Sequence, residues 1–107
     1  MGAKEKNRVP DERWDLILTR QADTQLEDLL DEEGDDAYDQ ALDDLLALED
    51  DPIPADAQKM RGTNDYYRIY ICRSRYRAIY RVLRTRRIVL IARIGPRGSV
   101  YRGFERW

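Results

Sequence analysis

The sequence predicts a single α+β domain in which an N-terminal strand and an α-helical hairpin precede a three-stranded antiparallel meander. Three observations carry this prediction. The chain has 107 residues, the size of one domain. Apolar residues recur at helical spacing between about residues 20 and 50, and they alternate with period two in residues 13–19 and from residue 66 onward. The later strands are joined by short turns, which make neighbouring strands antiparallel.

The N-terminal half contains one predicted strand and two predicted helices. Residues 13–19 alternate between apolar and polar side chains and therefore predict a strand. Gly34 separates the helices as a C-terminal cap, and Pro52 and Pro54 end the second one. Residues 1–12 are polar and are expected to be a flexible leader. The apolar stripes are Ala22, Leu26, Leu29 and Leu30 in the first helix and Tyr38, Leu42, Leu45 and Leu46 in the second.

The meander is predicted to consist of strands over residues 66–72, 76–82 and 87–94. The last of these is apolar on both faces, as expected for a central strand. Period-two alternation divides the side chains between two faces of the sheet. We expect the helical hairpin to cover the face that carries Tyr67, Ile69, Tyr80 and Leu90. The opposite face should then carry Arg68, Tyr70, Cys72, Arg77 and Arg81.

The charge of the chain divides where the folding pattern changes. Residues 1–57 contain 5 basic and 19 acidic residues, whereas residues 58–107 contain 14 basic and 2 acidic ones. The formal net charge of −2 therefore hides a cationic half that can attract phosphates and an acidic half that repels them.

Composition excludes several classes of function. Histidine is absent, which removes His-based metal sites and Ser-His triads, and no metal or cofactor site is predicted. The single cysteine cannot form an internal disulfide, so we expect a cytoplasmic protein. No apolar run approaches the ~20 residues that a membrane-spanning helix needs.

Four short motifs occur in order along the second half of the chain. They are Lys59-Met60-Arg61-Gly62, Tyr66-Tyr67-Arg68-Ile69, Tyr76-Arg77-Ala78-Ile79-Tyr80-Arg81-Val82, and Ile94-Gly95-Pro96-Arg97 followed by Val100-Tyr101. Their order and spacing resemble the RelE/ParE toxin superfamily. The resemblance implies the toxin of a toxin–antitoxin pair, held inactive by a cognate antitoxin. The RelE branch cleaves mRNA in the ribosomal A site, whereas the ParE branch poisons DNA gyrase.

The resemblance also assigns site residues by position. Arg97 and Tyr101 look like the C-terminal pair that the RelE branch uses in cleavage, so mRNA and the ribosome are the expected partners. Three departures from the RelE pattern stand out: Pro96 replaces a common histidine, Tyr70 replaces a lysine, and the helices are densely acidic. The implied catalytic residues are Arg68, Arg77, Arg97 and Tyr101, and the implied RNA-binding residues are Lys59, Arg61, Tyr70 and Arg81.

These residue types suit ribonuclease chemistry that uses the RNA's own 2′-hydroxyl as nucleophile. Arginine pairs two phosphate oxygens and stabilises the dianionic phosphorane. Tyrosine can take the proton, and Tyr70 and Tyr101 are the candidates. Two alternatives remain open: a gyrase inhibitor without nuclease chemistry, and a catalytically inactive member that only binds its antitoxin.

Overall fold

The computed structural model of the protein describes residues 13–62 and 65–96, together with Gly98 and Val100. The predicted leader, residues 1–12, lies outside the described residues. The elements are β1 (Asp15–Leu18), α1 (Arg20–Glu33), α2 (Asp35–Leu46), a 3₁₀ turn (Ala47–Glu49), β2 (Gln58–Lys59), β3 (Tyr66–Ile71), β4 (Tyr76–Leu83) and β5 (Ile88–Pro96).

The strands form one sheet in the order β1-β5-β4-β3-β2. β1 pairs with β5 in parallel, and every other pair is antiparallel. This architecture confirms the predicted fold class. The sheet has one strand more than predicted, because β2 contains only Gln58 and Lys59 and is too short to show an alternating pattern.

The helical hairpin is defined by local interactions at its ends. Thr19 caps α1, since its hydroxyl accepts a hydrogen bond from the backbone N–H of Ala22 at 3.0 Å. Gly34 alone connects the two helices, with a φ of 98° that favours glycine.

In the part of the chain that the structure describes, no helix is long and apolar enough to cross a membrane.

The core lies between the helical hairpin and one face of the sheet. Leu29, Leu45 and Tyr80 are fully buried in one core cluster, and the Tyr80 hydroxyl donates to the backbone oxygen of Pro52 at 2.7 Å. Tyr67 and Ile69 belong to the same cluster, as predicted.

The prediction that Leu90 faces the helices is wrong. Leu90 lies opposite Arg81, whereas Val89 and Ile91 point into the core. Because β5 carries apolar side chains on both faces, its composition does not determine which of the two alternating sets of side chains is buried. A β-bulge then leaves Ala92 without a partner in β4, so that Ile94 returns to the core side.

Two further predictions of burial are wrong. Leu46, which is predicted to lie on the buried stripe of α2, is 46% exposed, because the helix directs Ala41 and Leu45 inward and Leu48 completes the stripe. Cys72, which is predicted to lie on the outer face, instead turns into the core with a left-handed φ of 54°, because β3 ends at Ile71.

The turn between β3 and β4 is fastened to the helical hairpin. The backbone N–H of Cys72 donates to Asp44 at 2.9 Å, and Arg75 forms an ion pair with Glu33 at 3.0 Å. Cys72, Arg73 and Ser74 all have positive φ, a strained arrangement that these contacts help to hold.

We expect Leu45→Ala to lower the free energy of unfolding by about 2–5 kcal/mol, because it leaves a cavity in the core. Leu46→Ala is the matched control, since the neighbouring leucine is exposed and its truncation removes little buried surface. Chemical denaturation of both variants measures the difference. Equal loss of stability in the two variants would contradict the described orientation of α2.

Candidate functional site

One face of the sheet is not covered by the helical hairpin, and it carries the candidate site. Arg68 extends from β3, and Arg77 and Arg81 extend from β4. We call this surface, defined by these three side chains, the arginine face. In the β3–β4 register Arg68 lies opposite Ile79, and Arg77 lies opposite Tyr70. Alternation along the strands therefore directs the three guanidinium groups away from the core.

Arg77 and Tyr70 form a close pair at the centre of this surface. The guanidinium carbon of Arg77 lies 4.3 Å from the centroid of the Tyr70 ring, and its Nη2 donates a hydrogen bond to the Tyr70 hydroxyl. Cation–π contact and hydrogen bonding together restrict both side chains. The Tyr70 side chain remains 36% exposed and can present its ring to a ligand.

Arg68 is held by the edge strand. Its Nε and Nη2 both donate to the Oε1 atom of Gln58, at 2.9 and 2.6 Å. Gln58 lies directly opposite Arg68 in the β2–β3 pair, so both side chains extend from the same face. The sequence does not indicate a role for Gln58, because a two-residue strand has no recognisable pattern.

The Arg68–Gln58 pair and the Arg77–Tyr70 pair border one narrow cleft, which has no room for a water molecule in the conformation described. Its lining residues are Asp56, Gln58, Arg68, Ile69, Tyr70 and Arg77. The structure therefore brings together two predicted catalytic residues, Arg68 and Arg77, and one predicted RNA-binding residue, Tyr70. This combination can bind an oxyanion through the guanidinium groups and stack a planar base on the tyrosine ring.

The other three predicted RNA-binding residues are more dispersed. Arg81 lies on the arginine face, with its guanidinium carbon 5.8 Å from the centroid of the Tyr66 ring. Arg61 is exposed in the turn that follows β2. Lys59 is exposed but lies opposite Tyr67, so the register places its side chain on the helix-covered side of the sheet edge.

Two predicted catalytic residues, Arg97 and Tyr101, lie outside the described residues. Val100, which directly precedes Tyr101 in the sequence, is described and buried. Its backbone N–H donates to the carbonyl oxygen of Pro96 at 3.1 Å, and its side chain packs against Ile79. Val100 is thus attached to the same side of the sheet as the arginine face.

The buried tyrosines on the opposite side of the sheet are unsuited to proton transfer. Burial, together with the charge of the neighbouring Glu33 carboxylate and its hydrogen bond with the phenol, raises the pKa of Tyr76 to about 12. Burial also raises the pKa of Tyr80, beside Tyr67. Both phenols therefore stay protonated near neutral pH. Burial likewise raises the pKa of the Cys72 thiol, which makes it a weak nucleophile.

Sequence reasoning also missed Arg93. It lies opposite Ile79 in the β4–β5 register and lines a cavity of about 220 Å³ beside α1, together with Asp28 and Glu32. The β-bulge at Ala92 determines the direction of this side chain, and period-two alternation alone did not reveal it. Within the described ranges, no three His, Cys, Asp or Glu side chains group closely enough to hold a metal ion.

The sheet separates two surfaces of opposite charge. The exposed surface of the helical hairpin carries many carboxylates, among them Asp28, Asp31, Asp35, Asp39 and Asp43. The arginine face lies on the other side of the sheet. The potential of the molecule therefore favours an anionic ligand on the arginine face and disfavours one on the helices.

Comparison with known proteins identifies the family. The model of the ParE toxin of type II toxin–antitoxin systems (parDE) matches residues 16–101. The chain belongs to this toxin family, within the RelE/ParE superfamily. The match extends from β1 through the four motifs of the second half, and it confirms the resemblance that those motifs carry. The search of curated proteins found no significant match.

Solved structures of RelE toxins share the fold of this family member. The RelE–RelB complex from Pyrococcus horikoshii is 27% identical, with a TM-score of 0.65 over 81% of this chain and 98% of that one. A free E. coli RelE variant with two arginine substitutions is 24% identical, with a TM-score of 0.69 over 88% and 97%. The toxin–antitoxin complex RelBE2 from Mycobacterium tuberculosis is 18% identical, with a TM-score of 0.65 over 79% and 99%.

Proposed function

We propose that this toxin is an endoribonuclease of the RelE type that cleaves mRNA on the ribosome, in the cytoplasm. The observation that carries the proposal is the convergence of Arg68 and Arg77 on one cleft beside Tyr70, on the uncovered face of the sheet. Two oriented guanidinium groups beside an exposed aromatic ring suit a phosphodiester with its flanking base.

The chemistry requires a base, a cationic site for the phosphorane and an acid. The base removes the proton of the 2′-hydroxyl, which then attacks the adjacent phosphorus. The bond from phosphorus to the 5′-oxygen breaks, and the acid protonates that oxygen. The products are a 2′,3′-cyclic phosphate and a 5′-hydroxyl. We assign charge stabilisation to Arg68, Arg77 and Arg97, and we assign proton transfer to Tyr101 or Tyr70.

The remaining predicted residues serve RNA binding in this proposal. Arg81 extends the cationic surface away from the cleft, and Tyr70 offers a ring for stacking. Arg61 and Lys59 contribute positive charge at the edge of the sheet. Contacts of this kind neutralise backbone phosphates and lose strength as the salt concentration rises.

Inhibition of DNA gyrase is the second candidate function. Two observations favour it: the matching family model is that of the ParE toxin, and the acidic helical surface repels ribosomal RNA. Purified protein added to a translation reaction and to a gyrase supercoiling reaction separates the two functions. Loss of translation with unaffected supercoiling supports the nuclease, whereas the reverse result supports the gyrase poison. Loss of neither would contradict both functions.

We also propose that a cognate antitoxin covers the arginine face. The solved complexes of RelE with RelB support such a partner. Covering Arg68, Arg77 and Arg81 without counter-charges would be costly, so the covering segment should carry Asp or Glu opposite them.

Association with the antitoxin is therefore expected to be fast at low salt and to slow as salt screens the charges. Stopped-flow measurement of the association rate across a salt series tests this. Arg81→Ala should reduce the salt dependence of the association rate. Arg20→Ala changes an arginine of α1, on the other side of the sheet, and should leave that dependence unchanged. An association rate that is independent of salt would contradict the proposed complex.

A further inference from the structure

We propose that Gln58 is a positioning residue that fixes the guanidinium of Arg68 for phosphate binding. This inference rests on the proposed function, because it assigns Gln58 a role in the same nuclease site. Gln58 has no acid–base chemistry of its own, and it would act only through Arg68.

The geometry of the pair supports this role. Gln58 and Arg68 are direct partners in the antiparallel β2–β3 register. Both Nε and Nη2 of Arg68 donate to the single Oε1 atom of Gln58, at 2.9 and 2.6 Å. Gln58 thus engages the side edge of the planar guanidinium, which is formed by Nε and Nη2, and fixes the plane of the group. Both residues line the cleft that contains Arg77.

The backbone around Gln58 makes it a stable support. β2 pairs with β3 through Gln58 and Lys59. The next residue continues this pairing, since the N–H of Met60 donates to the carbonyl oxygen of Tyr66 at 2.9 Å. The Gln58 side chain itself is exposed. Removing it should therefore cost little stability, and a change in activity can be interpreted as a change in the site.

The neutrality of the amide is part of the argument. An amide oxygen accepts two hydrogen bonds from a guanidinium without cancelling its positive charge. A carboxylate at the same position would hold Arg68 equally well but would neutralise it and repel the phosphate. Comparison of Gln58→Ala with Gln58→Glu therefore separates the effect of orienting the Arg68 guanidinium from the effect of its positive charge.

The two variants are expected to differ in kinetics. Gln58→Ala keeps the charge and loses the orientation, so the maximal cleavage rate should fall about 10- to 100-fold, the range expected for a hydrogen bond to a charged group. KM should change little. Gln58→Glu should raise KM and flatten its dependence on salt, because one phosphate-attracting charge is lost.

A double-mutant cycle on ribosome-bound mRNA tests the proposal. The variants are Gln58→Ala, Arg68→Ala and the double variant, with Gln21→Ala as a control at an exposed glutamine on α1. If Gln58 acts through Arg68, its loss has no further effect in the Arg68→Ala background. Independent, multiplicative effects would overturn the proposal, and so would an unchanged rate for Gln58→Ala.

The outcome is distinguishable from a failure of the proposed function. If the wild-type protein does not cleave mRNA, the nuclease proposal fails, and this inference fails with it. If the wild type and Gln21→Ala cleave normally while the cycle shows no coupling, the nuclease proposal stands and only the role of Gln58 is wrong.

Discussion

Arg77→Ala is expected to lower the maximal rate of mRNA cleavage by about 10²- to 10³-fold, as for the loss of one preorganised oxyanion donor. Arg77 is half-buried and held against the Tyr70 ring, so its guanidinium is oriented before RNA binds. A group that is fixed in advance stabilises developing charge without reorganising during the reaction. Single-turnover cleavage of ribosome-bound mRNA measures the effect.

Two control variants sharpen this result. Arg77→Lys keeps the positive charge but loses the planar fork, and it should recover only part of the rate. Arg86→Ala removes an exposed arginine from the β4–β5 turn, outside the cleft, and should cleave at close to the wild-type rate. Equal losses of cleavage rate in Arg77→Ala and Arg86→Ala would mean that the rate depends only on the total positive charge of the protein, and would contradict a specific role for Arg77.

Arg97→Ala carries an expected loss of the same size, about 10²- to 10³-fold in cleavage rate. The prediction comes from the motif resemblance, since Arg97 and Tyr101 lie outside the described residues. The effect on ground-state RNA binding should be much smaller, because several other arginines contribute to that affinity. Cleavage rate and mRNA affinity are measured on the same variant.

Tyr101→Phe separates the two possible roles of this tyrosine. If the hydroxyl transfers the proton, the variant loses cleavage activity. If the ring only stacks on a base, the variant keeps most of it. Should Arg97→Ala and Tyr101→Phe both cleave at the wild-type rate and still arrest growth, the nuclease role of these residues is wrong, and gyrase inhibition becomes the better account.

Charge separation across the sheet determines from which side an anionic ligand can approach this toxin. The helices place their carboxylates on one side, and β3 and β4 place Arg68, Arg77 and Arg81 on the other. A polyanion such as the proposed RNA substrate would therefore be attracted to the arginine face and repelled from the helices. On a ribosome, such a molecule would have to present its helices to solvent or to basic protein surface.

Most of the fold was predictable because its elements repeat a simple pattern. The helical stripes around Leu29 and Leu45 and the alternation of β3 and β4 identify the buried faces directly. The pattern fails where both faces are apolar. That is why the orientation of Leu90 in β5 was mispredicted, and why the bulge at Ala92 could not be foreseen.

The candidate site was predictable only in part. Alternation placed Arg68, Tyr70 and Arg77 on one face, and the structure confirms that arrangement. Gln58 could not be predicted, because its importance depends on a two-residue strand that forms only by pairing with β3. Helical spacing alone could not decide between Leu45 and Leu46, since adjacent positions differ by about 100° around a helix.

The central claim, that this toxin cleaves mRNA, is tested most directly by mapping RNA ends. Ribosomes that carry a defined mRNA are incubated with purified protein, with Arg77→Ala as the negative control, and the new 5′ ends are sequenced. The account predicts discrete cuts at the ribosomal A site, bearing a 5′-hydroxyl and a 2′,3′-cyclic phosphate, that are strongly reduced with Arg77→Ala. Intact mRNA under conditions in which the same preparation arrests growth would contradict it.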